Sequence, residues 1–273
     1  QGGSVTHKFD LDTALEQSGE GTYLGATNAD WWVERGPHGG YLAALLLRAL
    51  KCTVDDERRP VRSLTVHYIA PPTHGPLEIR TRIERVGRSR VSASARLVQG
   101  GDTMAIALAA FSSAWDAVEW AETSMPEVPA PSEVDELPAG TGLAPPFFDN
   151  FDARPAIGDW PFSGSKRALS GGWIRFTEPR RVDDIAIAAL ADAWMPSVFT
   201  RLARPIAVPT VDLTVHFRRS LPDKGAAPED YHLALFRSET AADGFFVEDG
   251  EIWSQSGRLV AQARQLGVLM GKS

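Results

Sequence analysis

A single cysteine in 273 residues excludes an intrachain disulfide and a thiolate metal cluster, and it suits a reducing compartment. Cys52 falls near the end of an apolar stretch, where the expected role is a small buried hydrophobe rather than a nucleophile. The six histidines are scattered and form no H-E-x-x-H, so neither a catalytic metal nor another cofactor is expected. Positive charge is short as well. Twenty-eight Lys and Arg against 35 Asp and Glu give a net charge of -7, without the basic stripe that a nucleic-acid surface requires. No run approaches the roughly 18 apolar residues of a membrane span. The opening Gln1-Gly2-Gly3-Ser4 has no apolar signal core and reads as a cloning remnant on a cytoplasmic protein. Three familiar motifs also fail. Gly267 to Ser273 is one residue short of a phosphate-binding loop, Gly25 falls one place too late after Gly19-Glu20-Gly21 for a dinucleotide fingerprint, and there is no G-x-S-x-G.

What is present begins with Val182 to Pro196. After Asp183 and Asp184 every residue up to Pro196 is apolar except Asp192, which describes a helix buried on all sides. The two leading aspartates suit a helix start. Asp192, in the last turn, does not suit a helix end, where both the dipole and burial oppose its charge. Either it lies in a bend and finds solvent or a backbone donor, or it is a carboxylate held in a pocket. A second nearly all-apolar helix runs from Gly39-Gly40, after Gly36-Pro37-His38, to Lys51.

The remaining segments are strand-like. Val5 to Leu15, which holds His7, reads as a first strand and turn, and Thr22 to Val33 as a second with a turn at Asn28. Val61 to Ile69, Leu77 to Val86, Arg90 to Val98 and Thr103 to Trp115 follow the first helix as a meander. Residues 119 to 146 carry six prolines and read as a linker without a core of its own. Beyond it come an aromatic stretch from Phe147 to Trp160, a strand at Gly171 to Phe176, the Asp192 helix, and strands at Val211 to Arg218, Tyr231 to Ser238, Phe245 to Ser254 and Arg258 to Leu269. This is an α+β pattern with no βαβ rhythm. It is also a repeat: Leu64-Thr65-Val66-His67-Tyr68 matches Leu213-Thr214-Val215-His216-Phe217, and Gly101 to Ala109 lies on Gly257 to Gln265. The expected organisation is therefore 1-118, a linker at 119-146, and 147-273. His67 and His216 recur at equivalent places, which favours a role in the fold.

A glycine-entered apolar helix, a Leu-Thr-Val-His strand and a twofold repeat resemble the double hotdog proteins, and the second half is similar to acyl-CoA thioesterase II and its relatives. The resemblance implies two sheets, each curled around a buried helix, and hydrolysis of acyl-CoA by a water held among an aspartate, a threonine and a glutamine. Those positions fall on Asp192, Thr210 and Gln265. Leu213 and Arg218 stand where the family pattern has histidine, which puts the pocket wall in question.

The residues themselves support the trio. Alternation along the last strand puts Ala261, Ala263, Gln265 and Gly267 on one face, with Gln265 alone polar. Its repeat partner is Ala109, and that of Asp192 is Leu47, so one site of this type per chain is expected. Thr210 also suits an ordinary strand start after Pro209. Gly39 and Gly40 would leave unpaired N–H groups at the positive end of a helix, able to polarise a thioester carbonyl, or they serve close packing alone. His38 lines the same entrance or is simply solvated. Desolvation of Asp192 would raise its pKa towards that of a base for water, while direct attack to give an anhydride is the other available chemistry. A non-catalytic acyl-CoA or lipid-binding protein is the competing class. A hotdog hydratase or dehydratase lacks support, since no aspartate stands five residues before a histidine. Arg85, Arg88 and Arg90 are candidates for the CoA phosphates or a solvated face. Exposed sheet edges would allow a homo-oligomer.

Overall fold

The computed structural model describes residues 6–138 and 144–271. The leading Gln1 to Ser4, five residues of the proline-rich stretch and the last two of Gly267 to Ser273 lie outside the described residues. The elements in chain order are α1 (Lys8–Asp12), β1 (Glu16–Gly19), β2 (Thr22–Thr27), α2 (Gly39–Val54), β3 (Val61–Tyr68), β4 (Gly75–Val86), β5 (Arg90–Gln99), β6 (Asp102–Ser112), β7 (Phe151–Gly158), β8 (Ala168–Phe176), α3 (Asp184–Leu190), β9 (Thr210–Phe217), β10 (His232–Ser238), β11 (Ala241–Ala242), β12 (Phe245–Ser254) and β13 (Leu259–Val268). The strands form one antiparallel sheet in the order β1-β2-β4-β5-β6-β3-β9-β13-β12-β10-β8-β7, with β11 beside β12.

The centre of that sheet is the β3–β9 pair. Thr65 faces Thr214, its own repeat partner, while Leu64 faces Val215 and Val66 faces Leu213, so the residues on either side of the threonine exchange partners. The two threonine hydroxyls meet at 3.0 Å, 149 positions apart in the chain. A local twofold axis therefore passes between them, as at an isologous contact.

Inside the curl, α2 packs on β4 and β5 and against α3. Leu45, Leu46 and Leu47 are fully buried, and the sheet meets the helix with small residues, Ala93 and Ala95 of β5 and Ala105, Ala107 and Ala109 of β6. Small inward side chains let a sheet approach a helix that is apolar all round. Asp183 caps α3 by accepting from Ala186 N–H at 2.8 Å. Asp184 instead turns inward and pairs with Lys51 of α2 at 2.5 Å.

Three expectations are corrected. The first segment is a short helix, because His7 caps it through Phe9 N–H at 3.0 Å and Phe9 is drawn into the core. There Phe9 meets Phe176 of β8 at 4.8 Å and Trp31 meets Phe151 of β7 at 5.8 Å, so aromatic rings join the segments flanking β1 and β2 to the last strands of the sheet. The proline-rich stretch is not bare. Met125 and Val128 cover the buried Trp173, Tyr231 and Trp253, and Trp173 donates to the Pro129 carbonyl at 2.8 Å. Cys52 is exposed, in the last turn of α2, where burial ends. Among the described residues no helix is long and apolar enough to cross a membrane.

His232 of β10 is buried, and its Nδ1 has no partner among the described residues. Burial lowers its pKa to about 4, against a weaker upward pull from Asp230 and Asp223. The unfolded chain takes up this proton near 6.5 and the folded chain resists it down to about 4, so stability falls as pH drops across that window. At about 1.4 kcal/mol per pKa unit this amounts to about 3 kcal/mol. Urea titrations of His232→Leu should lose that acid-side slope, whatever the substitution does at pH 8.

Candidate active site

The start of α2 abuts the end of α3. A Cβ on Gly40 would stand 2.5 Å from the Ala189 carbonyl oxygen, and one on Gly39 would stand 2.7 Å from Oδ2 of Asp192. Glycine is thus required at both places by approach. α3 stops at Leu190, and Asp192 lies two residues beyond it in a turn, outside the helix in which the sequence reading set it. The turn carries the carboxylate back to α2, where Oδ2 accepts from Gly40 N–H at 2.9 Å. Its side chain is 13% exposed. Burial pushes the Asp192 pKa up, and His38, the Gly40 N–H and the Gln265 amide offset only part of the rise.

His38 is not solvated. It is 3% exposed, and its Nδ1 accepts from Tyr41 N–H at 3.2 Å, which caps α2. The ring proton is then on Nε2, which donates to the Asp192 carbonyl at 2.7 Å and stands 3.3 Å from Oδ2. The ring stacks on Phe147 at 4.2 Å. Gly40 N–H and Tyr41 N–H are therefore occupied, against the expectation of two unpaired glycine donors. Gly39 N–H has no partner among the described residues.

Gln265 of β13 faces Glu248 of β12 and Leu213 of β9. The expected alternation holds, with Ala261, Ala263 and Gln265 all buried. Thr210, at the start of β9, donates from Oγ1 to Gln265 Oε1 at 3.0 Å, and Gln265 Nε2 donates to Glu248 Oε1 at 2.9 Å. Asp192, Thr210, Gln265, His38 and the diglycine thus occupy one place.

Two participants were missed. Glu248 is 2% exposed; its Oε2 accepts from Ser197 N–H at 2.5 Å and from the Ser197 hydroxyl. Burial raises its pKa to about 7, against the opposing effect of the Ser197 donors. The available signal was its inward position in β12, between Phe246 and Gly250. Tyr68 of β3 donates to the Gly39 carbonyl at 2.8 Å, and burial, with Asp192 and Asp212 nearby, holds its phenol well above the usual range.

Other candidates lie elsewhere. The Arg85 to Arg90 hairpin stands beside the loop after α2, where Arg59 donates to the Arg88 carbonyl at 3.3 Å. That is the far end of a helix about 24 Å long. His67, His216 and Arg218 are exposed. At the repeat-related positions, Leu47 and Ala109 are apolar and buried, and the Lys51–Asp184 pair occupies the corresponding helix start. Among the described residues no group of three or more His, Cys, Asp or Glu could hold a metal ion.

A family profile described as the acyl-CoA thioesterase C-terminal domain matches residues 123–269, and one described as the acyl-CoA thioesterase N-terminal domain matches residues 28–112. The chain is similar to a conserved protein of unknown function with a hot dog fold from Alicyclobacillus acidocaldarius, at 30% identity and a TM-score of 0.89 over 98% of this chain and 100% of that one. It also resembles an acyl-CoA thioesterase II from Mycobacterium marinum, at 23% identity and a TM-score of 0.78 over 97% and 99%. The second likeness is one of fold. No curated protein sequence matches.

Gly40→Ala should destabilise the protein by roughly 1–3 kcal/mol, because its methyl group meets α3 backbone and not a yielding side chain. Chemical denaturation measures this, and an unchanged midpoint would mean that the helices part without cost.

Proposed function

The chain belongs to the acyl-CoA thioesterase family, and from that premise we propose that it hydrolyses acyl-CoA thioesters to a free acid and CoA with Asp192 as the base. The observation that carries this reading is the desolvated Asp192 carboxylate, set between the start of α2 and the Gln265 amide. Burial makes it a stronger base than an exposed aspartate, which is what removing a proton from water near neutral pH requires.

The hydrogen-bond directions give the water its orientation. Thr210 spends its proton on Gln265 Oε1, so its oxygen is left as an acceptor. A water donating to Asp192 and to Thr210 keeps a lone pair for the thioester carbon. Its oxygen bonds to that carbon as one proton passes to Asp192. The negative carbonyl oxygen lies at the positive end of α2, where Gly39 N–H is the remaining donor and Gly40 N–H anchors the base. The C–S bond then breaks and the thiolate of CoA takes the proton back from Asp192.

Two hotdog repeats, 1-118 and 147-273 with 119-146 between them, account for the Thr65–Thr214 axis. On this reading only the later repeat supplies the acid, the hydroxyl and the amide. The occupied Gly40 N–H is the one observation favouring an acyl-CoA or lipid-binding protein without turnover. A cytoplasmic enzyme, paired with a second copy through its sheet edges, completes the proposal.

Release of free thiol from a panel of acyl-CoAs is the test. Asp192→Asn should lower kcat by about 10²–10⁴-fold while keeping the fold. Wild-type kcat/KM should fall as pH drops through a limb above the usual carboxylate range, because Asp192 must be ionised. A wild type that binds acyl-CoA but frees no thiol returns the protein to the binding class.

A further inference from the structure

Glu248 is a buried carboxylate with no part in the proposed bond-making and bond-breaking. It stands on the inner face of β12, 2% exposed, between Phe246 and Gly250, both also facing inward. An apolar side chain there would avoid the desolvation of a charge, so its presence calls for a polar partner that needs it. Its two oxygens have separate partners. Oε2 takes the N–H and hydroxyl of Ser197, and Oε1 takes Gln265 Nε2 at 2.9 Å.

The geometry points to Glu248 as a positioning residue that fixes which way the Gln265 amide faces, and through it the acceptor role of Thr210. This rests on the thioesterase reading above. A glutamine amide has two orientations of nearly the same shape, and its neighbours decide between them. Ionised, and with Oε2 held by Ser197, Glu248 presents only an acceptor at Oε1, so the Gln265 NH2 group must face it. Oε1 then faces Thr210, whose hydroxyl donates to it at 3.0 Å, and the amide lies close enough to Asp192 to steady its charge. Reversing the amide would turn NH2 towards Thr210, and the threonine would point its own proton at the water. The water would lose an acceptor and present a proton, not a lone pair, to the thioester.

Glu248→Gln forces that reversal. The Ser197 backbone N–H still demands an oxygen, so the new amide must aim its NH2 at Gln265, which must answer with Oε1. Glu248→Met removes the preference altogether. In thiol-release assays both variants should lose at least about tenfold in kcat with KM within about threefold, the pattern of an interaction made in the transition state. A second readout is the side-chain NH2 resonance of Gln265 in 15N-glutamine-labelled full-length protein, assigned with Gln265→Asn. In the wild type the proton facing Glu248 should be downfield and protected, and both variants should lose this. Asp192→Asn is assayed beside them. If wild type and Asp192→Asn differ as expected but both Glu248 variants keep wild-type kcat and an unchanged Gln265 signal, the positioning role is overturned and the thioesterase reading stands. Loss of kcat only in proportion to a lowered melting temperature, with the amide signal unchanged, overturns it equally. If the wild type frees no thiol, the thioesterase reading fails, and the amide resonance still decides whether Glu248 sets Gln265.

Discussion

The contact on which the rest depends is the approach of one helix start to the end of another. Gly40 comes so near Ala189 that no side chain fits between them, and this closeness brings the Asp192 carboxylate within 2.9 Å of a backbone donor inside the protein. Everything around it serves that approach: small residues on β5 and β6, all-apolar helices, a histidine that caps α2 and holds the turn after α3. A carboxylate in such a place is costly unless donors surround it, and they come from His38 and Gly40 at the start of α2 and from Gln265 of β13.

The same closeness explains the division of labour among backbone donors. A helix start offers several N–H groups, but here a carboxylate and a histidine have already taken those of Gly40 and Tyr41. What stays, among the described residues, is the Gly39 N–H next to an anchored carboxylate, so on the proposed reading attraction of a substrate oxygen and retention of the base would not compete for one hydrogen.

Much of this was legible in the residues because burial leaves a periodic trace. Two all-apolar helices, a repeated Leu-Thr-Val-His strand and an isolated glutamine in an alternating strand each mark a position by what surrounds it. What escaped did so for physical reasons. Glu248 belongs to a stretch, Val247-Glu248-Asp249-Gly250-Glu251, whose other acids face outward, so charge masked the inward one. The helix at Lys8–Asp12 is too short for periodicity and exists because Phe9 is captured by distant rings. The proline-rich stretch packs through only a few apolar side chains among many polar ones. Cys52 lies on a helix that is buried along most of its length, and composition gave no sign that its last turn was the exception.

The Thr65–Thr214 axis has a consequence for how such a molecule changes over time. In an assembly of two identical subunits, any substitution beside the axis appears twice, and a charge that suits one helix start is imposed on the other. Here the axis runs within a single polypeptide, so the two helix starts are encoded separately. One start could keep a carboxylate against bare glycines while the other was closed by Lys51 and Asp184, a divergence that a symmetric pair of genetically identical halves has no means to reach.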